Sequence, residues 1–178
     1  MKVLVAYASK HGSTKGIAEF IGEKLRQKGL DCDVLDVSDV KNPGAYDAFV
    51  IGSAVYMFHW MKQAKQFESR NRAVLSKRPV WLFSSGPTGS ERNHAKGKDL
   101  LDPSVSGPAE LDELKEGLQV RDHRVFFGAM DDGAGFFARF VPRSAKGDFR
   151  DWQEIESWAN GIAKALEAPM DGTKVAPG

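Results

Sequence analysis

Cysteine is nearly absent from this chain. Cys32 is the only one among 178 residues, which excludes an internal disulfide framework and a zinc-ribbon site. It sits in the apolar, strand-like run Cys32-Asp33-Val34-Leu35-Asp36-Val37, where a small buried hydrophobe is expected rather than a reactive thiol. Long hydrophobic runs are missing too. None approaches the ~18 residues of a membrane span, and the N-terminus enters a strand directly rather than a signal peptide, so a soluble, cytoplasmic protein is expected. Charge of one sign is also lacking: 25 Lys+Arg face 24 Asp+Glu for a net +1. That excludes a chain basic overall, as a nucleic-acid coat would be, and a strongly acidic one. A length of 178 residues fits one domain with a sizeable core.

What is present is an alternation of short apolar runs and helical segments. Val3–Tyr7, Cys32–Val37, Ala48–Ile51, Val80–Phe83 and Arg124–Gly128 read as five strands. Continuous apolar runs suit a parallel sheet covered on both faces. Between them, residues 14–28 carry Ile17, Ile21 and Leu25 at helical spacing, with Gly29 just after. Residues 61–75 place Ala64, Phe67, Val74 and Leu75 on one side, and a short helix is expected after Pro108 with Leu111, Leu114 and Leu118. Asp151 and Glu154 have capping-box spacing before the stripe Ile155, Trp158, Ala159, Ile162 and Leu166. The expected fold is α/β, a three-layer, doubly wound, five-stranded parallel sheet over residues 1–167, with residues 168–178 as a frayed tail.

Ligands of such sheets bind beyond the carboxyl ends of the strands, so the loop leaving each strand matters most. After the first comes Ser9-Lys10-His11-Gly12-Ser13-Thr14, leading into a helix. Small hydroxylated residues there suit either a phosphate cradle or an ordinary Ser/Thr-capped helix. The segment is neither a Walker A loop nor Gly-x-Gly-x-x-Gly. After the third strand comes Gly52-Ser53-Ala54-Val55-Tyr56-Met57-Phe58-His59-Trp60, whose aromatics could line a flat ligand or belong to the core. After the fourth comes the turn-rich Ser84-Ser85-Gly86-Pro87-Thr88-Gly89. All three loops fall on one edge of the sheet. No Ser/His/Asp, Cys/His or metal-ligand arrangement stands out.

On these residues the chain resembles the flavodoxin-like family. Ser9–Thr14 looks like that family's FMN phosphate loop, with His11 where Ser or Thr is usual. Residues 53–60 and 85–89 fall where its two isoalloxazine loops lie. The resemblance implies a non-covalent FMN with its phosphate at Ser9, His11, Gly12, Ser13 and Thr14. The flavin ring would then lie between Ser53, Ala54, Val55, Tyr56, Met57 and Trp60 on one side and Ser85, Gly86, Pro87, Thr88 and Gly89 on the other. Tyr56 or Trp60 would stack on the ring, and His59 is the candidate catalytic side chain beside it. Within the family, four motifs resemble the menaquinone-dependent protoporphyrinogen dehydrogenases. They are Lys10–Thr14, Ile51–Tyr56 with His59-Trp60, Phe127-Gly128-Ala129-Met130, and Asp151-Trp152. That group's insertion of aromatic and basic residues has a shorter, less basic counterpart here in Gly133–Arg143.

The layout of charge bears on the activity. Residues 1–58 carry seven charges of each sign, 59–99 nine positive against three negative, and 100–178 nine against fourteen. The positive stretch spans two of the expected flavin loops. His59, Lys62, Lys65, Arg92, His94 and Lys96 could form a basic mouth, or Lys62, Lys65, Arg70 and Arg72 could be only the solvated face of a helix. An electron-carrying flavodoxin docks through an acidic rim, whereas a hydride-accepting flavoenzyme benefits from positive charge near the ring. The expectation is a two-electron FMN oxidoreductase acting on a protoporphyrinogen- or quinone-like compound, as part of porphyrin biosynthesis. A single-electron carrier is the alternative, and a binding protein that has lost the cofactor a third class. Phe136, Phe137, Phe140 and Val141 with two arginines read as a lid, as a shallow membrane contact near a quinone pool, or as cover for the sheet edge.

Overall fold

The computed structural model describes residues 1–56, 58–86, 108–130 and 147–168. A parallel sheet forms its centre. Strands β1 (Lys2–Ala8), β2 (Asp31–Asp36), β3 (Ala48–Tyr56), β5 (Pro79–Ser85) and β6 (Gln119–Phe126) lie in the order β2-β1-β3-β5-β6. The short β4 (His59–Trp60) folds back antiparallel on β3, pairing Val55 with Trp60 and Tyr56 with His59. β7 (Ala129–Met130) and β8 (Gly147–Asp148) pair by themselves. The helices are α1 (Ser13–Gln27), α2 (Lys62–Leu75), α3 (Leu111–Lys115) and α4 (Trp152–Glu167). The expected doubly wound, five-stranded parallel sheet is the fold observed.

Alternation along β1 explains the three layers. Val3 and Val5 point to one face and meet Ile17, Ile21 and Leu25 of α1 and Ile155, Trp158 and Ile162 of α4. Leu4 and Ala6 point to the other and pack with Ala64, Phe67 and Leu75 of α2 and Leu114 of α3. Both faces are therefore apolar, as a doubly covered parallel sheet requires. Cys32 belongs to the first layer, 5% exposed, and burial pushes its thiol up to about 11. Gly52 is where the sheet tolerates no side chain, because a Cβ would lie 1.9 Å from Phe83 Cζ. Asp151 caps α4 by accepting from the Gln153 and Glu154 N–H groups, both at 3.0 Å.

Three strands differ from expectation, β5 among them, which runs on through Ser84 and Ser85. β3 runs five residues beyond Ile51, because Ser53 and Ala54 still pair with Ser84 and Ser85 of β5. Small residues that read as the start of a loop are thus sheet. β6 covers 119–126 rather than 124–128: it is an edge strand, and its exposed Gln119, Arg121 and Arg124 break the apolar run. Leu118 lies beyond α3, and the tail past residue 168 lies outside the described residues.

The topology sets the position of a site. The chain steps outward from β1 to β2, then crosses to the other side of β1 to begin β3. The loops leaving the carboxyl ends of β1 and β3 therefore diverge and open a crevice between them.

Candidate functional site

At the carboxyl end of β1 the chain turns through Ser9–Gly12 into α1. Gly12 is the N-cap at φ +85°, a left-handed conformation that glycine adopts without steric cost, and a Cβ there would meet nothing within 4 Å. Its N–H is donated to Ser9 Oγ at 3.1 Å. No side chain caps the helix, so the capped-helix alternative gives way to an uncapped first turn whose N–H groups and positive dipole end face the crevice. Ser13 Oγ accepts the Ala129 N–H at 2.8 Å. With that lone pair engaged, the Ser13 hydroxyl hydrogen remains to be donated. Thr14 is buried beneath the turn, and His11 is exposed above it.

The β3–β4 hairpin forms the second wall. Its Val55/Trp60 pair turns inward and its Tyr56/His59 pair outward. Tyr56 is 44% exposed, with the His11 ring edge-on at 6.5 Å and Lys10 Nζ 5.9 Å from the ring centroid. Partial burial pushes its phenol up. Trp60 is 2% exposed and donates its indole N–H to Ser84 Oγ at 2.8 Å, so it is an anchor and not a stacking ring. Ser84 Oγ lies 2.9 Å from His123 Nε2, and burial pushes that imidazole down to about 4. A neutral His123 can accept the Ser84 hydroxyl hydrogen, which closes the chain Trp60–Ser84–His123 across β5 to β6. Ser53 is buried, accepts the Met61 N–H at 3.0 Å and donates to Ala54 O at 2.9 Å. Ser53 and Ala54 therefore build the floor of the hairpin, while Val55 and Tyr56 reach its rim. Met57 lies outside the described residues.

The third and fourth loops close in from β5 and β6. Gly86, at φ +116°, donates its N–H to Phe126 O at 3.0 Å, and a Cβ there would come 3.5 Å from Val55 O. Pro87, Thr88 and Gly89 lie outside the described residues, as do Phe136, Phe137 and Phe140. A Cβ on Gly128 would stand 3.3 Å from Ser13 Oγ, 3.6 Å from Ser85 Oγ and 3.7 Å from Gly86 Cα. The loops after β1, β5 and β6 thus converge on one glycine. Gly128 and Ala129 are not among the site residues expected from sequence. Their place directly after the fifth strand, on the same edge as the other loops, is the signal that points to them.

Glu110, by contrast, carries no sequence signal. Its carboxylate, 9% exposed, takes His59 Nδ1 at 2.8 Å on Oε2, and the Trp60 N–H at 3.0 Å and Lys65 Nζ at 3.2 Å on Oε1. Burial pushes this carboxyl up, but the hydrogen bonds from His59, Lys65 and Trp60 outweigh it and leave the group below the usual carboxylate range. Ala109 N–H is donated to Phe58 O at 2.7 Å, at the one non-glycine residue with positive φ (+67°) among those described. The basic mouth is changed accordingly: His59 and Lys65 meet a carboxylate, Lys62 is exposed, and Arg92, His94 and Lys96 lie outside the described residues.

Among the described residues no group of three His, Cys, Asp or Glu could hold a metal, and no helix is long and apolar enough to cross a membrane. Two surface hollows, of about 440 Å³ beside Trp81 and Asp122 and about 460 Å³ beside Phe20 and Trp152, lie away from these loops. The candidate site is the carboxyl edge of the sheet, an open helix N-terminus facing an exposed tyrosine.

A five-stranded parallel sheet in the order β2-β1-β3-β5-β6 with this edge defines a flavodoxin-like protein. The chain belongs to the flavodoxin domain family, whose model matches residues 4–141. It is 27% identical to the protoporphyrinogen IX dehydrogenase [quinone] of Escherichia coli (strain K12), over 95% of this chain and 98% of that protein. Among solved structures it is similar to a flavodoxin from the domain Archaea (TM-score 0.60, 18% identity, 93% of this chain and 99% of that one). Oxidised flavodoxin 1 from Bacillus cereus is comparable (TM-score 0.61, 16% identity, 92% and 98%).

This fold implies a flavin cofactor, and the residues present fit one. An uncapped helix start with a free Ser13 hydroxyl hydrogen suits a phosphate, and the half-exposed Tyr56 suits a planar ring.

Proposed function

We propose that the chain is an FMN-dependent oxidoreductase carrying out two-electron chemistry on a porphyrinogen- or quinone-like substrate. The observation that carries this reading is the convergence of the loops after β1, β3, β5 and β6 around the uncapped start of α1 and the exposed face of Tyr56. Ser9, His11, Gly12, Ser13 and Thr14 would hold the phosphate, the first-turn N–H groups and the Ser13 hydroxyl being the donors. Tyr56 would stack on the ring, an arrangement worth about 0.5–1.5 kcal/mol beyond burial, with Ser85, Gly86 and Gly128 closing its edge. A flavin supplies the acceptance and return of two electrons with hydrogen.

The protein's contribution is positioning and electrostatics. Lys10, 5.9 Å from the Tyr56 ring, would set positive charge beside a flavin held at that tyrosine. The end-to-end similarity to a protein named protoporphyrinogen IX dehydrogenase [quinone] supports the substrate class, and with it a place in porphyrin biosynthesis on the cytoplasmic side of the cell. Phe136, Phe137 and Phe140 would give the protein a peripheral contact with a membrane that carries the quinone.

Spectroelectrochemical titration of the FMN-loaded protein tests the reading. The expected result is a single two-electron wave without accumulation of the one-electron-reduced species. Two widely separated potentials with a stable long-wavelength radical band would instead mark a single-electron carrier.

A further inference from the structure

We propose that His59 is the proton acceptor of this site and that Glu110 is the residue that positions it, the two acting as a carboxylate–imidazole dyad at the rim of the β3–β4 hairpin. The inference rests on the oxidoreductase reading and names how the proton of that chemistry is handled.

Three observations carry it. A carboxylate can only accept, so the 2.8 Å contact between Glu110 Oε2 and His59 Nδ1 fixes the proton of the neutral imidazole on Nδ1 and leaves the lone pair on Nε2. Glu110 cannot take that part itself. Its side chain is 9% exposed, and its other oxygen is taken by the Trp60 N–H and Lys65. His59, by contrast, is 58% exposed, and it is the cross-strand partner of Tyr56. Side chains paired across an antiparallel ribbon stand on the same face, so the imidazole is beside the ring proposed to carry the flavin. Among the described residues, the charged and titratable groups facing the pair are Lys65 from α2 and Tyr56 from β3.

Atoms and electrons balance in this step. A hydroquinone, or a porphyrinogen-like C–H and N–H pair, gives up two electrons and two hydrogens to form its new double bonds. One hydrogen leaves with both electrons to the oxidised flavin of the proposed function. The other leaves as a proton, from the O–H or N–H bond that becomes C=O or C=N, and passes to His59 Nε2. When a quinone is reduced in the return half-reaction, the same Nε2–H gives the proton back. General base assistance of this kind is worth about 10²–10⁴-fold in rate.

Two measurements test the dyad. NMR titration of the His59 imidazole, read before flavin is added, is expected to give the Nδ1–H tautomer. Glu110→Gln should lose that fixed tautomer, because an amide can turn either its oxygen or its N–H groups to the ring. Rapid mixing of the FMN-loaded protein with a 1,4-naphthohydroquinone then reads flavin bleaching against pH. The wild-type rate should rise with pH along one limb to a plateau, and Glu110→Gln should lower that plateau because the ring is no longer held with Nε2 free. His59→Gln should bleach about 100-fold more slowly and lose that limb. The surface-exposed His59→Gln variant keeps the test decisive if Glu110→Gln does not fold. Bleaching by His59→Gln at the wild-type rate with an unchanged limb would overturn the proposal, as would an Nε2–H tautomer. Failure of the wild type to take up FMN would overturn the oxidoreductase reading and the proton role with it, while the NMR titration still judges the Glu110–His59 pairing by itself.

Discussion

Acidification is expected to unlatch the hairpin that carries Tyr56, through His123. That imidazole is held at about 4 by burial, against an ordinary value near 6.5, and its Nε2 lies 2.9 Å from the hydroxyl that anchors Trp60. A group with a depressed folded value binds its proton more readily in the unfolded chain. Its contribution is fully present above pH 6.5 and is lost as pH falls toward 4. From pH 6.5 to 4.5, linkage gives a loss of about 2 kcal/mol. Glu68 and Glu154, whose carboxyls burial pushes up, titrate in the opposite sense nearby, so the loss is read as a difference between proteins. His123→Gln removes the titration and keeps an acceptor for the Ser84 hydroxyl. Urea melts followed by tryptophan fluorescence at both pH values should then show the wild type losing about 2 kcal/mol more than the variant. Parallel losses in the two proteins would refute the assignment of His123 as a buried neutral imidazole.

Other expectations come from single contacts. Gly52→Ala drives a methyl into the Phe83 ring and should cost about 1–3 kcal/mol in denaturant melts. Ser13→Ala removes both the acceptor for the Ala129 N–H and the donor facing the crevice; FMN affinity, read by flavin fluorescence quenching, should fall at least tenfold, a loss of about 1.4 kcal/mol. A Phe136→Ser, Phe137→Ser, Phe140→Ser triple variant should co-sediment less with anionic vesicles than the wild type, and equal recovery in the supernatant would remove the membrane contact.

Much of the fold could be read from the chain because the central elements obey one period each. β1 is apolar from Val3 to Ala8, α1 and α4 carry clean stripes, and Asp151 caps where its spacing says it should. Elements at the margin obey two demands at once. β6 is polar because its outer edge meets solvent, and β3 continues through Gly52 and Ser53 because Phe83 needs the space that larger residues would fill. The alternation across β4 misleads for the same reason, since His59 and Trp60 are neighbours in sequence and face opposite ways. The three loops after β1, β3 and β5 were visible as a set, but the contacts that fix their geometry are not local. Glu110 lies 51 residues from His59, and Ala129 lies 116 from Ser13. No spacing rule connects such pairs; only the closed sheet does.

Everything proposed for this protein depends on the uncapped start of α1 and the face of Tyr56 together holding FMN. Titration of FMN into the purified chain, followed by flavin fluorescence, tests this most directly in the wild type and in Tyr56→Leu. One FMN bound per chain with strongly quenched fluorescence is expected in the wild type, and weaker binding with partial recovery of fluorescence in the variant. Absence of saturable binding in the wild type, or identical quenching in both proteins, would contradict it.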